Sequence, residues 1–428
     1  MIQKSHLIKF DKYLIIIFAL IGILFSCETN KRISNQNVAF LYKREAASFN
    51  PEFSVLHIND SVSELHFKIS SNQVLYARTA PGAPFSANVT LSYRIFDDYE
   101  ARLTYDTNSV NIKDVANEDQ LRDLISTIKF KALKGFDYIM EITVTDINRS
   151  KTKKTYITIE KNNLNNRQNF LMNSPETGSP IFKNHINSNS VKIKYGFPAT
   201  TAFVRYYKRD FEIAPPPFVT LNHQSFHYKA DSIFELPVNE NNILIENFKS
   251  KGFYHIQIDS AINKDGFTLY HFNGNFPEIK NTEDMINPLR YITSKQEFEG
   301  LVNAENKKEA LDKFWLDLAG NPERARELIS IFYNRVQDAN LHFTSYIEGW
   351  KTDRGMIYLI FGPPNVIYKS VTNESWIYGE DKNLMSLNYN FYKVDNPFSA
   401  NDFSLERSVI YKTNWYRAVD IWRQGRIY

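Results

Sequence analysis

The sequence predicts a multidomain protein: two antiparallel β-sandwich-like bodies followed by an α+β body of helices, a small antiparallel sheet and a C-terminal helix. Three observations carry this. At 428 residues the chain is too long for one ordinary core, so two or three domains are expected. Its 25 Tyr and 32 Phe, set against only 15 Gly and 16 Pro, favour strands over most of the length. After about Asn275 the apolar pattern switches from a period of two to helical spacing. A hydrophobic share of 43% suits packed cores rather than disorder.

The start of the chain indicates an exported protein. Lys4, His6, Lys9 and Lys12 precede the uncharged run Tyr13 to Phe25, and Ser26-Cys27 follows. A basic region, a short apolar core and a small residue before the cut make a secretory signal over residues 1–26. That core of 13 residues is too short to span a bilayer as a helix. Leu24-Phe25-Ser26-Cys27 resembles a bacterial lipobox, with Phe25 bulkier than the tightest pattern prefers. Cys27, the only cysteine, is therefore the expected site of lipidation, and the expected location is the cell envelope, at the outer membrane facing the periplasm. Several acyl chains would hold the protein firmly, at about 0.8 kcal/mol per buried CH₂. With Cys27 acylated, disulfides, Cys-ligated zinc and a Cys nucleophile are excluded. Loss of residues 1–26 removes three Lys and one Asp, leaving 48 basic against 47 acidic groups. So neutral a chain gives no bulk signal for nucleic acid.

Residues 27–37 read as a polar tether. Over 38–160, Val89, Leu91, Tyr93 and Ile95 alternate with Thr90, Ser92 and Arg94, and Tyr138, Met140, Ile142 and Val144 alternate likewise. Strands with one buried and one wet face predict the first sandwich. The Asn-rich stretch 161–169 reads as a linker, and 170–275 as a second sandwich with Val191, Ile193 and Tyr195 and then Tyr254, Ile256 and Ile258 inward. Pro215-Pro216-Pro217 enforces a loop or an exposed edge. Residues 276–290 read as a second linker. From 291 to 428, helix signals accumulate. Ser294 with Glu297 forms a capping box, Gly320 stops a helix from Asn306 to Ala319, and Asn321-Pro322 starts a third helix ending near Phe343. Strands are expected at 356–361, 366–369, 375–378 and 385–394, then a short helix over 414–424.

The stretch Glu348 to Asn365, EGWKTDRGMIYLIFGPPN, organises this last part. It reads as a tight turn at Gly355, a buried strand from Met356 to Phe361, and a second turn at Gly362-Pro363-Pro364. Residues 291–428 resemble the GWxTD domain family, on Gly349-Trp350-Lys351-Thr352-Asp353 with Arg354-Gly355 and Phe361-Gly362-Pro363-Pro364. Upstream Ala310-Leu311, Phe314-Trp315, Tyr333, Arg335-Val336 and Ala339-Asn340, and downstream Glu374-Ser375-Trp376-Ile377-Tyr378, extend the resemblance. It implies an exported bacterial protein with a β-rich N-terminal region, and no established reaction.

The candidate binding residues are Gly349, Trp350, Thr352, Asp353, Arg354, Gly355, Gly362, Pro363 and Pro364. Trp350 reads as a core plug, with a ligand platform as the sharper alternative. Asp353 and Arg354 either present a charged pair to a ligand, or cap the turn and pair with a nearby carboxylate. Gly355 is expected at positive φ, and Gly362-Pro363-Pro364 as a rigid turn in which a cis bond is allowed. No G-x-S-x-G, H-E-x-x-H or Gly-rich phosphate loop occurs, so no catalytic residue, cofactor or metal is assigned. His223 and His227 lie four apart, but in a strand-like or loop-like context that suits a solvated pair. Asp60-Ser61-Val62, Asp231-Ser232-Ile233 and Asp259-Ser260-Ala261 match a short O-glycosylation triplet that also arises by chance. The expected function is non-enzymatic binding or assembly, with a protein or glycan partner in the envelope and a lipid attachment to the membrane. The alternative is a hydrolase of an envelope polymer using Asp353 with His342 or Glu348.

Overall fold

A computed structural model describes residues 32–427 apart from 45–48, 117–120, 164, 187–189, 209, 221–227, 260, 262 and 273. Cys27, His223, His227 and Ser260 lie outside the described residues. Five antiparallel sheets and a helical C-terminal region build the expected β-rich to α+β order.

The first body holds β1 (Glu52–His57), β2 (Val62–Ser70), β3 (Ser86–Phe96), β4 (Asp106–Val115), β5 (Asp123–Lys131), β6 (Asp137–Asp146) and β7 (Lys151–Glu160). They form one sheet ordered β1-β2-β5 and another ordered β4-β3-β6-β7. Val89, Leu91, Tyr93 and Ile95 all face the shared core, as do Tyr138, Met140, Ile142 and Val144, so the period-two reading selects the buried faces.

The second body holds β8 (Phe170–Asn173), β9 (Ser190–Tyr195), β10 (Thr201–Tyr207), β11 (Ser232–Pro237), β12 (Ile243–Asn247), β13 (Gly252–Gln257) and β14 (Phe267–His271). Its sheets run β12-β9-β8 and β11-β10-β13-β14. Tyr254 and Ile256 face the body's own core. His255 and Gln257, on the other face of β13, are also fully buried, His255 against Phe398 of the C-terminal region and Gln257 against Arg205 and Tyr228 of its own body. Phe398 meets the rings of Phe253 and His255 edge-on, at 5.2 and 5.0 Å.

The C-terminal body begins earlier than its expected start. Residues 282–290, expected as linker, are helical: α1 (Thr282–Ile286) and a 3-10 turn, Asn287–Tyr291, put Ile286 and Leu289 in the core. The helices α2 (Lys295–Val302), α3 (Lys307–Ala319) and α4 (Pro322–Phe343) follow, with the Ser294–Glu297 capping box and the Asn306 and Asn321 caps in place. A sheet ordered β15-β16-β17-β18 comprises β15 (Val366–Lys369), β16 (Asn373–Tyr378), β17 (Leu387–Lys393) and β18 (Phe403–Leu405).

Two expectations are overturned. Met356 to Phe361 is not a strand but most of a helix, α5 (Asp353–Phe361). Every residue from Arg354 onward is buried, so the helix shows no wet face and its apolar run carries no period that could separate it from a buried strand. Residues 38–42, expected in the first sandwich, instead form a 3-10 turn, Ala39–Tyr42, in the C-terminal core. Val38 N donates to Ile367 O on the edge of β15 at 2.9 Å, and Asn37 Oδ1 accepts from Ile367 N. The chain closes with α6 (Tyr411–Arg423), somewhat longer than expected.

The GWxTD junction as candidate functional site

Three backbone segments meet at the motif closely enough that only glycine fits. A Cβ on Gly349 would lie 1.9 Å from the carbonyl oxygen of Ala339 on α4. One on Gly355 would lie 1.9 Å from the carbonyl oxygen of Gly349. The 3-10 turn Gly349–Lys351 is thus pressed between α4 and α5. Gly355 sits inside α5 and does not take positive φ; close approach, not backbone freedom, is what requires it.

The polar residues of the motif hold this stack together. Thr352 is the N-cap of α5, its Oγ1 accepting from Gly355 N at 3.1 Å and donating to Gly349 O at 2.7 Å. Asn340 Oδ1 on α4 accepts from Trp350 N at 3.2 Å. Trp350 is a buried plug, edge-on to Tyr291 at 6.3 Å, and Tyr291 Oη donates to its carbonyl. At the far end of α5, Arg335 donates to Leu359 O and Ile360 O, satisfying carbonyls that the helix leaves open. Gly362 then turns at φ 77°, and Tyr378 Oη donates to its carbonyl. Among the described residues the one cis peptide is Phe276-Pro277, so Gly362-Pro363-Pro364 is a turn of trans bonds.

Asp353 and Arg354 do not pair with each other. Asp353, in the first turn of α5, accepts from Leu405 N at 2.8 Å and is ion-paired with Arg407. Arg407 also donates to Pro215 O and Pro216 O at 2.8 Å each. Ala214 N donates to Lys351 O, and Ser408 N to Pro217 O. The proline loop of the second body is therefore clamped over the motif.

Arg354 points the other way, into an ionic cluster in which it and Glu374 are fully buried and Lys369 reaches in from the edge. Arg354 Nη1 lies 3.2 Å from Glu374 on β16, its Nη2 donates to Asn401, and its guanidinium covers the Phe403 ring at 4.1 Å. Glu374 also accepts from Lys369 at 2.9 Å, Trp376 Nε1 at 3.1 Å and Tyr42 Oη at 3.0 Å. Burial alone would raise the Glu374 carboxyl, but Lys369 and Arg354 outweigh it and hold it down at about 2. Burial, reinforced by Glu374, pushes the Tyr42 phenol up to about 12. Tyr358 on α5 donates to Tyr42 O at 2.7 Å, so the N-terminal segment is fixed from both sides.

The three residues of the hydrolase reading are not brought together. Asp353 is bound to Arg407, and Glu348 to Lys351 at 2.6 Å. The His342 ring packs against Tyr42 and Phe343, and burial, with Lys153 and Arg354 nearby, lowers it to about 4. Among the described residues no group of three or more His, Cys, Asp or Glu could hold a metal.

The sequence reading missed Tyr42, Arg407 and Asn401, and quoted Arg335 and Glu374 only as parts of the helix and strand motifs of the resemblance. One signal was present. Period two puts Glu374 on the same face as Trp376 and Tyr378, and a carboxylate on a buried face requires a cation. A polar cavity of about 310 Å³ lies beyond this cluster, where all three bodies meet, lined among others by Asp97, Asp137, Asp265, Lys369 and Lys393.

No curated protein matches the chain. The family model described as the GWxTD domain matches residues 252–424, starting well before the expected 291. The match takes in β13 and β14, and the outer face of β13 packs against the C-terminal body. The part of the chain from residue 252 to 424, with the Gly349–Asp353 junction at its centre, is a GWxTD domain.

Proposed function

We propose that this is a lipid-anchored envelope protein acting as a binding or assembly component, tethered through Cys27 and offering the GWxTD domain and its neighbouring bodies to a protein or glycan partner. The observation that supports it most is how the motif is used. Its Asp, Arg, Thr and Trp are engaged within the protein, and they tie the N-terminal segment and the proline loop to one frame. A motif spent on joining bodies suits a scaffold that holds a composite surface in fixed geometry. The polar cavity where the three bodies meet is the natural place for a ligand's polar groups.

The test has two arms. Cys27→Ala is expected to move the protein from the membrane to the soluble envelope fraction; unchanged membrane attachment contradicts the anchor. In-cell crosslinking and capture of the full chain is expected to return a specific envelope partner that is lost when cavity-lining Lys393 is changed to Glu. Capture of no specific partner contradicts the binding role.

A further inference from the structure

One end of the first body carries an apolar surface that its own fold leaves open. Leu103 and Tyr105, after β3, are 85% and 41% exposed, and Leu133 and Phe136, between β5 and β6, are 44% and 59% exposed. Leu103 precedes Tyr105 by two residues in the same loop, and Tyr105, Leu133 and Phe136 gather about Tyr138. The Tyr105 and Phe136 rings lie 5.0 and 6.5 Å from its ring, and Leu133 N donates to its hydroxyl at 3.2 Å. The exposed cations Arg102, Lys131 and Lys134 stand beside these residues in the chain. Large apolar side chains in one open group mark a contact surface, and Tyr with flanking Lys and Arg suits the boundary between hydrocarbon and headgroups.

The path of the chain selects the occupant. Arg32 Nη1 is ion-paired with Glu100 in the same loop as Leu103 at 2.9 Å, and Ser34 N donates to Tyr99 O. Four residues separate Cys27 from Arg32, and the five steps between them have an extended reach of roughly 17 Å. A lipid on Cys27 would therefore enter a bilayer close to this loop. Of the carboxylates nearby, Glu100 is held by Arg32, Asp98 by Glu100 N, Asp106 by Tyr93 and Lys131 N, Asp137 by Lys161 N and Asn162, and Asp60 stands 3.9 Å from Lys134.

We propose that Leu103, Tyr105, Leu133 and Phe136 rest in the headgroup interface of the bilayer that holds the Cys27 lipid, so that the first body lies against the membrane. This rests on the anchor reading above. Acylation leaves the chain no free thiol, so Leu103→Cys or Phe136→Cys provides a unique site for an environment-sensitive dye. The labelled, acylated full chain is placed on phosphatidylcholine–phosphatidylglycerol vesicles containing brominated lipid, with Val409→Cys, an exposed site on the GWxTD domain, as reference. The expected result is a blue shift and quenching at 103 and 136, with neither at 409. Protein that floats with the vesicles while 103 and 136 remain unquenched overturns this inference and leaves the anchor standing. Protein that fails to float overturns both. A concentration-dependent blue shift without lipid assigns the patch to a second copy and also overturns it.

Discussion

The first sandwich and the GWxTD junction reach burial by opposite routes. In the sandwich, Val89, Leu91, Tyr93 and Ile95 point inward by strand alternation alone, and a one-residue slip would turn every one of them outward. At the junction, the packing depends on absent side chains at Gly349 and Gly355 and on charges taken out of water at Arg354, Glu374 and Lys369. Apolar layers of the first kind tolerate adjustment, because neighbouring side chains can repack. A backbone carbonyl 1.9 Å from a new Cβ cannot give way without moving a helix. The contrast shows why a short motif can be rigidly specified by its fold without serving as a reactive site.

Substitutions should separate the two regimes. The largest effect is expected for Gly349→Ala or Gly355→Ala, each at least about 4 kcal/mol, seen as loss of a protease-resistant C-terminal fragment. Gly300→Ala in α2, where a Cβ meets nothing within 4 Å, should instead stabilise by about 0.5–1 kcal/mol. Next, Glu374→Gln leaves Arg354 and Lys369 without their carboxylate and should cost about 3–5 kcal/mol in urea unfolding. Ile95→Val in the sandwich should cost only about 0.5–1.5 kcal/mol by the same measurement.

Acid should expose a further difference. His342 at the junction and His57, His185 and His255 elsewhere are each lowered by burial from 6.5 to about 4. The unfolded chain then binds more protons than the folded one, so stability falls as pH drops from 6.5 towards 4, by up to about 1.4 kcal/mol per pH unit for each ring. Glu374 adds a second loss between 4.5 and about 2, because its depressed carboxyl is protonated in the unfolded chain first. Urea titrations across this range should show both windows in the native chain, and Glu374→Gln should shrink the lower one, to which Glu297 beside Arg423 also contributes, while leaving the upper one in place. The smallest effect is expected for Lys308→Ala, which breaks an exposed pair with Asp312 on α3 and should change stability by less than about 0.5 kcal/mol.

Legibility in the sequence follows the same division. Sandwich strands were readable because one wet face preserves alternation. The helices α2 to α4 were readable because Ser294 with Glu297, Asn306 and Asn321-Pro322 are local signals whose chemistry acts within one turn. The α5 helix was not, since a fully buried run erases the period that identifies it. Nor could the sequence reveal that Tyr42 reaches Glu374, 332 residues away: Val38 to Tyr42 is visibly apolar, but its destination is set by tertiary contact alone. The motif residues were identified as important, and Asn340 was quoted with them, while their partners Arg407 and Asn401 carried no local mark.

The central claim is that the GWxTD junction is a structural lock that captures the N-terminal segment through the Tyr42–Glu374 contact. A double-mutant cycle in the full chain, with Tyr42→Phe, Glu374→Gln and both together followed by urea unfolding, tests it most directly. A coupling of about 1–3 kcal/mol is the expected result for a buried, charge-assisted hydrogen bond. Additive effects with no coupling would mean that Tyr42 and Glu374 act independently, and would contradict the lock.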